Sequence, residues 1–173
     1  RAYEICNAIP NQDDREVKFL RAELLIRDER PAEAELLLQA ACECSNEEQD
    51  HFIYDSIGIF MDYMLWDYAE SWCMRLKHIS PKYKGLPEIE AEIKMCTGDY
   101  DSAIDILNGI LDINSYNSQA WNMLAESYFS KGTFEEAIEA CQFALAINED
   151  DFKAISTLAD CYYHTSSFSK AHE

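Results

Sequence analysis

The chain contains little glycine and proline. Of its 173 residues, 5 are Gly and 4 are Pro, and both counts lie below average usage. No segment alternates apolar and polar residues in the way that a half-buried strand does. The sequence therefore predicts an all-α fold.

Basic residues are also scarce. The chain has 14 Lys and Arg against 33 Asp and Glu, which gives a net charge of −19. Binding to DNA, RNA or anionic membranes depends on basic residues that displace counterions. These polyanions are therefore excluded as expected partners. No run of 18 apolar residues occurs, so no membrane-spanning segment is expected either.

The cysteines lack the spacing of a disulfide framework. There are 7 of them, an odd number, and Cys96, Cys141 and Cys161 fall on or beside apolar helix stripes, where a free thiol acts as a small apolar core residue. Scattered free thiols favour a reducing compartment, and we expect a cytoplasmic location. Cys42, Cys44 and His51 form a candidate zinc site, but one intervening residue is not zinc-finger spacing.

Catalytic signatures are missing as well. The sequence has no Gly-x-Ser-x-Gly elbow, no phosphate-binding glycine loop and no His-Glu-x-x-His. Asp99, Asp101 and Asp105 lack the Gly and Glu that an EF-hand needs, and Asp99 is better interpreted as the N-cap of a helix that begins at Tyr100. We expect no enzyme activity, no catalytic residue, no metal and no cofactor.

What the chain does contain is a 34-residue repeat. The period separates aromatic residues at 100, 134 and 168, and alanines at 103, 137 and 171. A unit of this length cannot bury its own apolar face, so units must stack on their neighbours and leave a long surface free. Such a surface is typical of binding proteins.

The best-formed unit, 118–151, predicts two amphipathic helices with a tight turn. In the turn, Gly132 can adopt the positive φ that ends a helix, and Thr133 with Glu136 forms a capping box for the next helix. The first helix carries an apolar stripe, and the second carries small residues for close packing. The stripe of the first helix is Trp121, Leu124, Ala125 and Tyr128. The second helix has an apolar stripe that includes Cys141, and its small residues are Ala137 and Ala144.

This pattern resembles the tetratricopeptide repeat, whose signature has Trp, Leu, a small residue and Tyr in the first helix and Ala in the second. Three positions depart from the signature: Ala125 replaces its Gly, Cys141 replaces its aromatic residue, and Glu149 stands where its Pro is expected. The resemblance implies an all-α superhelical solenoid of antiparallel helix pairs. We expect a single domain over 1–173 that is a piece of a longer chain, with repeats at 15–51, 52–83, 84–117, 118–151 and an incomplete one at 152–173.

The upstream repeats are predicted from weaker signals. Pro31 is expected to open a helix, and Ser45 with Glu48 predicts a second capping box. Pro87 occupies the signature Trp position, which suits the first turn of a shortened helix.

The resemblance also implies a binding groove lined by the first helix of each unit. At its fifth and ninth positions the groove would carry mostly carboxylates, and aromatic residues and Met would form one wall. The predicted peptide-binding residues are Glu88, Glu92, Met95, Asn122, Glu126, Phe129, Ser156, Asp160 and Tyr163, with His164 beside them. An acidic groove suits a basic or amphipathic peptide, and it would repel the acidic chaperone tails that some members of the family bind.

Three functions fit this interpretation. The first is an adaptor or scaffold whose groove holds a segment of a partner protein. The second is the recruiting domain of a larger enzyme or signalling protein. The third is self-association through the solenoid ends, where the last repeat is incomplete.

Overall fold

The computed structural model describes residues 14–43 and 49–165, and it is helical throughout these ranges apart from turns and short connections. The helices are α1 (Arg15–Arg27), α2 (Pro31–Glu43), α3 (Gln49–Asp62), α4 (Trp66–Ile79), α5 (Leu86–Cys96), α6 (Tyr100–Ile113), α7 (Ser118–Lys131), α8 (Phe134–Ile147) and α9 (Phe152–His164). No strand occurs in the two described ranges. The predicted all-α fold is confirmed.

The chain divides into two compact units, Arg1–Leu86 and Pro87–Glu173. The first holds α1 to α4, and the second holds α6 to α9 together with α5 from its second residue onward. The single domain over 1–173 stays a prediction.

In the first unit, α1 packs on α2 and α3 packs on α4. The rings of Phe19 and Phe52 stack with centroids 4.8 Å apart, and those of Phe60 and Trp72 are 6.0 Å apart. Phe60 and Trp72 are among the largest fully buried side chains. Burial of such rings is a major source of stability for a small helical unit.

The turns inside the helix pairs share one geometry. Glu29, Met64, Gly98 and Gly132 have φ values of 60, 57, 81 and 85°. In each turn the next residue donates its N–H to the carbonyl five residues earlier, at 2.8 to 3.0 Å. This is the hydrogen bond of the Schellman motif, which ends a helix through a left-handed residue.

These left-handed residues are 35, 34 and 34 positions apart. The helix pairs α1/α2, α3/α4, α5/α6 and α7/α8 are therefore equivalent, and α9 stands where a fifth pair would begin. Sequence reasoning identified this position only at glycines. In the first unit, Glu29 and Met64 adopt the same backbone conformation without being glycine.

The core of the second unit follows the predicted stripes. Leu124 and Ala125 of α7 are buried in one cluster with Leu107 of α6 and Cys141 of α8, and Trp121 and Tyr128 pack against it. Ala137 is completely buried. The prediction that Cys141 and Cys161 are core residues is confirmed, but Cys96 is exposed. Cys96 is the last residue of α5, at the point where the helix ends in a turn.

Most of the predicted helix starts are also confirmed. Pro31 is the first residue of α2, and Pro87 is the second residue of α5, which has only 11 residues. The carboxylate of Asp99 accepts a hydrogen bond of 3.3 Å from the backbone N–H of Ser102. The predicted capping box of Ser45 and Glu48 lies outside the described residues.

The capping box at Thr133 was predicted wrongly. Thr133 occupies the N-cap position of α8, but its side chain makes no capping hydrogen bond. Its hydroxyl instead donates to the carbonyl of Tyr128, 3.2 Å away. That carbonyl also accepts the N–H of Thr133 in the Schellman turn, so the residue closes α7 rather than opening α8.

The incomplete last repeat cannot be compared with its prediction, because Phe168 and Ala171 lie outside the described residues. Over the ranges that the structure does describe, no helix is both long and apolar enough to cross a lipid bilayer.

Candidate functional site

The second unit contains a cavity of about 560 Å³. It lies at the C-terminal end of α5 and the first residue of α6, and it extends along α7 and α9. Its walls combine aromatic and sulfur-containing side chains with hydroxyl groups and charged groups. The lining residues are Met95, Cys96, Tyr100, Glu126, Phe129, Ser130, Phe152, Lys153, Ser156, Thr157 and Asp160.

Five of the nine predicted binding residues line this cavity. They are Met95, Glu126, Phe129, Ser156 and Asp160. They come from α5, α7 and α9, which are the first helices of three successive repeats. The equivalence of these helices in the repeat explains why one pattern in the sequence predicts a common location.

Asn122 does not line the cavity, because its side chain is buried in the second unit and forms a hydrogen bond between α7 and the start of α9. It is only 8% exposed, and its Nδ2 donates a 2.8 Å hydrogen bond to Oδ2 of Asp151. Asp151 is the N-cap of α9 and accepts the backbone N–H groups of Lys153 and Ala154 at 3.1 and 3.3 Å. The hydrogen bond from Asn122 is the main reason that the pKa of Asp151 is lowered. Asn122 thus positions the start of α9.

Glu88 and Glu92 lie on α5 outside the lining of the cavity. Glu92 is exposed, and its negative charge acts on Cys96 in the cavity wall. Partial burial at the cavity wall raises the pKa of the Cys96 thiol, and the charges of Glu92 and Glu126 raise it further. The two carboxylates therefore act together on one point of the wall.

Lys153 was missed by the sequence reasoning. Its Nζ lies 3.0 Å from Oε1 of Glu126, so the predicted row of carboxylates contains a cation from the next helix. Lys153 is the second residue of its repeat, whereas the prediction considered only the fifth, ninth, twelfth and thirteenth positions. Including the second position would have found it.

Aromatic rings cluster at one edge of the cavity. Phe129 meets Phe134 and His164 edge to face, with centroids 5.6 and 5.5 Å apart. His164 stacks on Phe134 at 5.0 Å, and Tyr163 contacts His164 edge-on at 5.8 Å. Tyr163 thus lies in the aromatic cluster but not in the lining. Phe129 is held on one side by these rings and faces the cavity on the other.

The metal candidate from the sequence is only partly covered by the structure. Cys42 is buried in α2, and Cys44 lies outside the described residues. Within the ranges 14–43 and 49–165, no group of three or more His, Cys, Asp or Glu side chains is placed to hold a metal ion.

The fold is similar to those of known repeat proteins. A structure of MamA from Desulfovibrio magneticus RS-1 matches with a TM-score of 0.73 and 14% identity, over 91% of this chain and 89% of that one. A tetratricopeptide repeat protein from Parabacteroides merdae matches with 0.72 and 17%, over 92% and 63%. The first TPR domain of human RPAP3 matches with 0.62 and 15%, over 72% and 98%. These likenesses show the fold.

No curated protein sequence matches the chain. The family model of the tetratricopeptide repeat matches residues 118–151. These residues form the repeat that the sequence analysis identified as the best-formed copy, and the match confirms the resemblance for that repeat. The chain therefore carries a tetratricopeptide repeat at residues 118–151, within an all-α fold shared with solved tetratricopeptide-repeat proteins.

Proposed function

We propose that the cavity of the second unit and the acidic surface beside it bind a basic or amphipathic segment of another protein. In this proposal the chain acts as a non-catalytic adaptor or scaffold in the cytoplasm. Tetratricopeptide repeats generally mediate protein–protein interactions. The observation that carries the proposal is the combination of Met95 and Phe129 with the carboxylates of Glu126 and Asp160 in one cavity.

The apolar part of the cavity supports affinity. Its volume of about 560 Å³ lies in the range of about 300–1,000 Å³ that is usual for ligand pockets. Met is flexible and adapts to irregular partner surfaces, while an aromatic ring gives a large contact area at a low cost in side-chain entropy. Phe129 is already fixed by its contacts with Phe134 and His164. These side chains should therefore slow the release of a bound segment.

The charges support selectivity for a basic partner. The cavity carries two carboxylates and one ammonium group, Glu92 adds a further negative charge nearby, and the whole chain has a net charge of −19. Fields from charges within a Debye length, about 10 Å at 0.1 M salt, add together. They accelerate encounter with a basic segment and repel an acidic one. A recruiting domain of a larger enzyme or signalling protein would use the same surface.

A peptide-binding experiment tests the proposal. Blocked fluorescent peptides of equal length and equal apolar content, with net positive, zero or net negative charge, are titrated into the full chain at low and high salt. We expect measurable binding of the positive peptides, weakening as salt rises, and no binding of the negative ones. Equal binding of positive and negative peptides would contradict the proposal.

Charge reversal then locates the site. Glu92→Lys combined with Glu126→Lys should lower the association rate of the positive peptides and remove its salt dependence. The control variant carries the same change in net charge on exposed positions of α8, Glu135→Lys with Glu139→Lys, and should bind nearly as well as the natural chain. Phe129→Ala should mainly raise the dissociation rate. Binding that survives the Glu92 and Glu126 changes unaltered would place the partner elsewhere.

A further inference from the structure

We infer that the cavity selects an arginine side chain of the partner segment, and that Lys153 occupies the arginine's position until it is displaced. This inference rests on the proposed function and names the group that the cavity recognises. The ammonium group of Lys153 in the cavity shows which ligand chemistry fits. Its Nζ lies 3.0 Å from Oε1 of Glu126, so the cavity already accommodates one cationic group on a long side chain.

The ion pair of Lys153 is easily displaced. The side chains of Lys153 and Glu126 are 54% and 35% exposed, and ion pairs that are open to solvent contribute little to stability. Lys153 also lies in the first turn of α9, where a positive charge opposes the helix dipole. The pair therefore does little to hold α9 in place, since Asp151 and Asn122 already position that end of the helix.

A guanidinium group can use the cavity more fully than an ammonium group. The carboxylates of Glu126 and Asp160 come from neighbouring helices and line the same space, and among the described residues no cation forms an ion pair with Asp160. A planar guanidinium has five donors and can bind carboxylates through two of them at once. It also stacks on aromatic faces, and Tyr100, Phe129 and Phe152 line the cavity. A lysine offers a compact, strongly hydrated charge instead.

The probes are three blocked amino acids, Nα-acetyl-arginine methylamide and its lysine and citrulline counterparts. Citrulline keeps the shape of arginine but lacks its charge. Each probe is titrated into the full chain while amide chemical shifts are followed by NMR, and the alkylation of Cys96 is measured by peptide mapping. We expect arginine to shift the amides of the cavity residues and to slow the alkylation of Cys96. Lysine should bind more weakly, and citrulline should have no effect.

Two variants test the role of Lys153. Lys153→Met should bind the arginine probe about two- to fivefold more tightly, the factor expected when a weak competing ion pair is removed. The matched control is Lys131→Met, because Lys131 is an exposed lysine of the same unit that pairs with Asp101. It makes the same change in net charge and should leave the affinity unchanged. In a Glu126→Gln background the gain from Lys153→Met should vanish.

The outcomes separate this inference from the proposed function. Equal binding of the arginine and citrulline probes, or an unchanged or lowered affinity in Lys153→Met, would overturn the inference. If positively charged peptides still bind in a salt-dependent way under those circumstances, the proposed function stands and only the arginine selection is wrong. If neither the arginine probe nor the positive peptides bind, both are wrong.

Discussion

The side-chain nitrogen of Asn122 lies 2.8 Å from a carboxylate oxygen of Asp151, and this hydrogen bond joins α7 to the N-cap of α9. The same carboxylate group accepts two backbone N–H groups of α9. Loss of an N-cap costs about 0.5–2 kcal/mol. Asp151→Ala should therefore lower the free energy of unfolding by about that amount, as measured by urea denaturation.

A control separates the cap from the general effect of removing a carboxylate. Asp150 is an exposed neighbour outside the cap, and Asp150→Ala should change stability much less. Equal losses from the two substitutions would contradict the importance of the cap.

Asp151 also predicts a dependence on pH. Hydrogen bonds from Asn122 and the start of α9 lower the pKa of its carboxyl in the folded chain. Its contribution to stability is then complete above the unfolded pKa of about 3.9 and is lost as pH falls through the lower pKa of the folded state. In Asp151→Asn, urea denaturation should show a smaller loss of stability on acidification than in the natural chain. Parallel pH profiles for the two proteins would refute this expectation.

The Schellman turns predict opposite effects for two substitutions. Met64 has a φ of 57° and is 74% exposed, so Met64→Gly should relieve strain and lose little packing. Gly132 has a φ of 85°, and a Cβ there would meet no atom within 4 Å, so Gly132→Ala would introduce only the backbone strain. We expect a gain of about 1 kcal/mol for the first and a loss of about 1 kcal/mol for the second, by urea denaturation.

Gly109 provides the control for the turn substitutions. It lies inside α6, and a Cβ there also meets nothing within 4 Å. Gly109→Ala should stabilise the chain by about 0.5–1 kcal/mol, because Ala favours a helix interior. If Gly109→Ala lost as much stability as Gly132→Ala, the sign of the stability change on glycine-to-alanine substitution would not depend on φ.

Close packing at Ala137 is the next prediction. This side chain is completely buried on α8, and added methylene groups have no space there without a shift of the neighbouring helices. Ala137→Leu should cost about 1–3 kcal/mol, measured by thermal or urea unfolding. The control is Ala146→Leu, on an exposed position of the same helix, which should be nearly neutral. Similar losses at both positions would contradict the packing of Ala137.

The buried thiols predict a loss of stability at alkaline pH. Burial raises the pKa of Cys141 to about 12 and that of Cys161 to about 11. An unfolded thiol ionises near pH 8.5, so the stability that depends on the neutral thiols is complete below that pH and decreases as pH rises toward the folded values. Cys141→Ala with Cys161→Ala should show a flatter stability profile between about pH 8 and pH 10. An equally steep profile in the double variant would refute the assignment.

The sequence predicted the helices of the second unit well because its apolar residues follow the helical period closely. It predicted the repeats of the first unit only from weaker signals, since Glu29 and Met64 carry no glycine signal for the left-handed turn that they form. Backbone hydrogen bonds from Arg30 to Leu25 and from Leu65 to Phe60 close these turns, and single-residue preferences do not report such bonds.

The residues of the candidate site likewise fall into those that the sequence predicted and those that it did not. Glu126 and Phe129 were predicted to share one groove from the family resemblance and the repeat register together, and both line the cavity. The burial of Asn122 and the ion pair of Lys153 depend on how α9 approaches α7. That approach is a tertiary feature, and a one-dimensional pattern does not determine which side chain reaches across it.

The three tryptophans are divided between the two units. Trp66 and Trp72 lie on α4 in the first unit. Trp121 lies on α7 in the second, where its ring stacks on Phe143 with centroids 4.5 Å apart and its Nε1 donates to the carbonyl of Ser115 at 2.9 Å. Unfolding removes that stack and exposes the indole to water. In a chain with Trp66→Phe and Trp72→Phe, intrinsic fluorescence therefore reports the second unit alone, and Trp121→Phe leaves only the signal of the first.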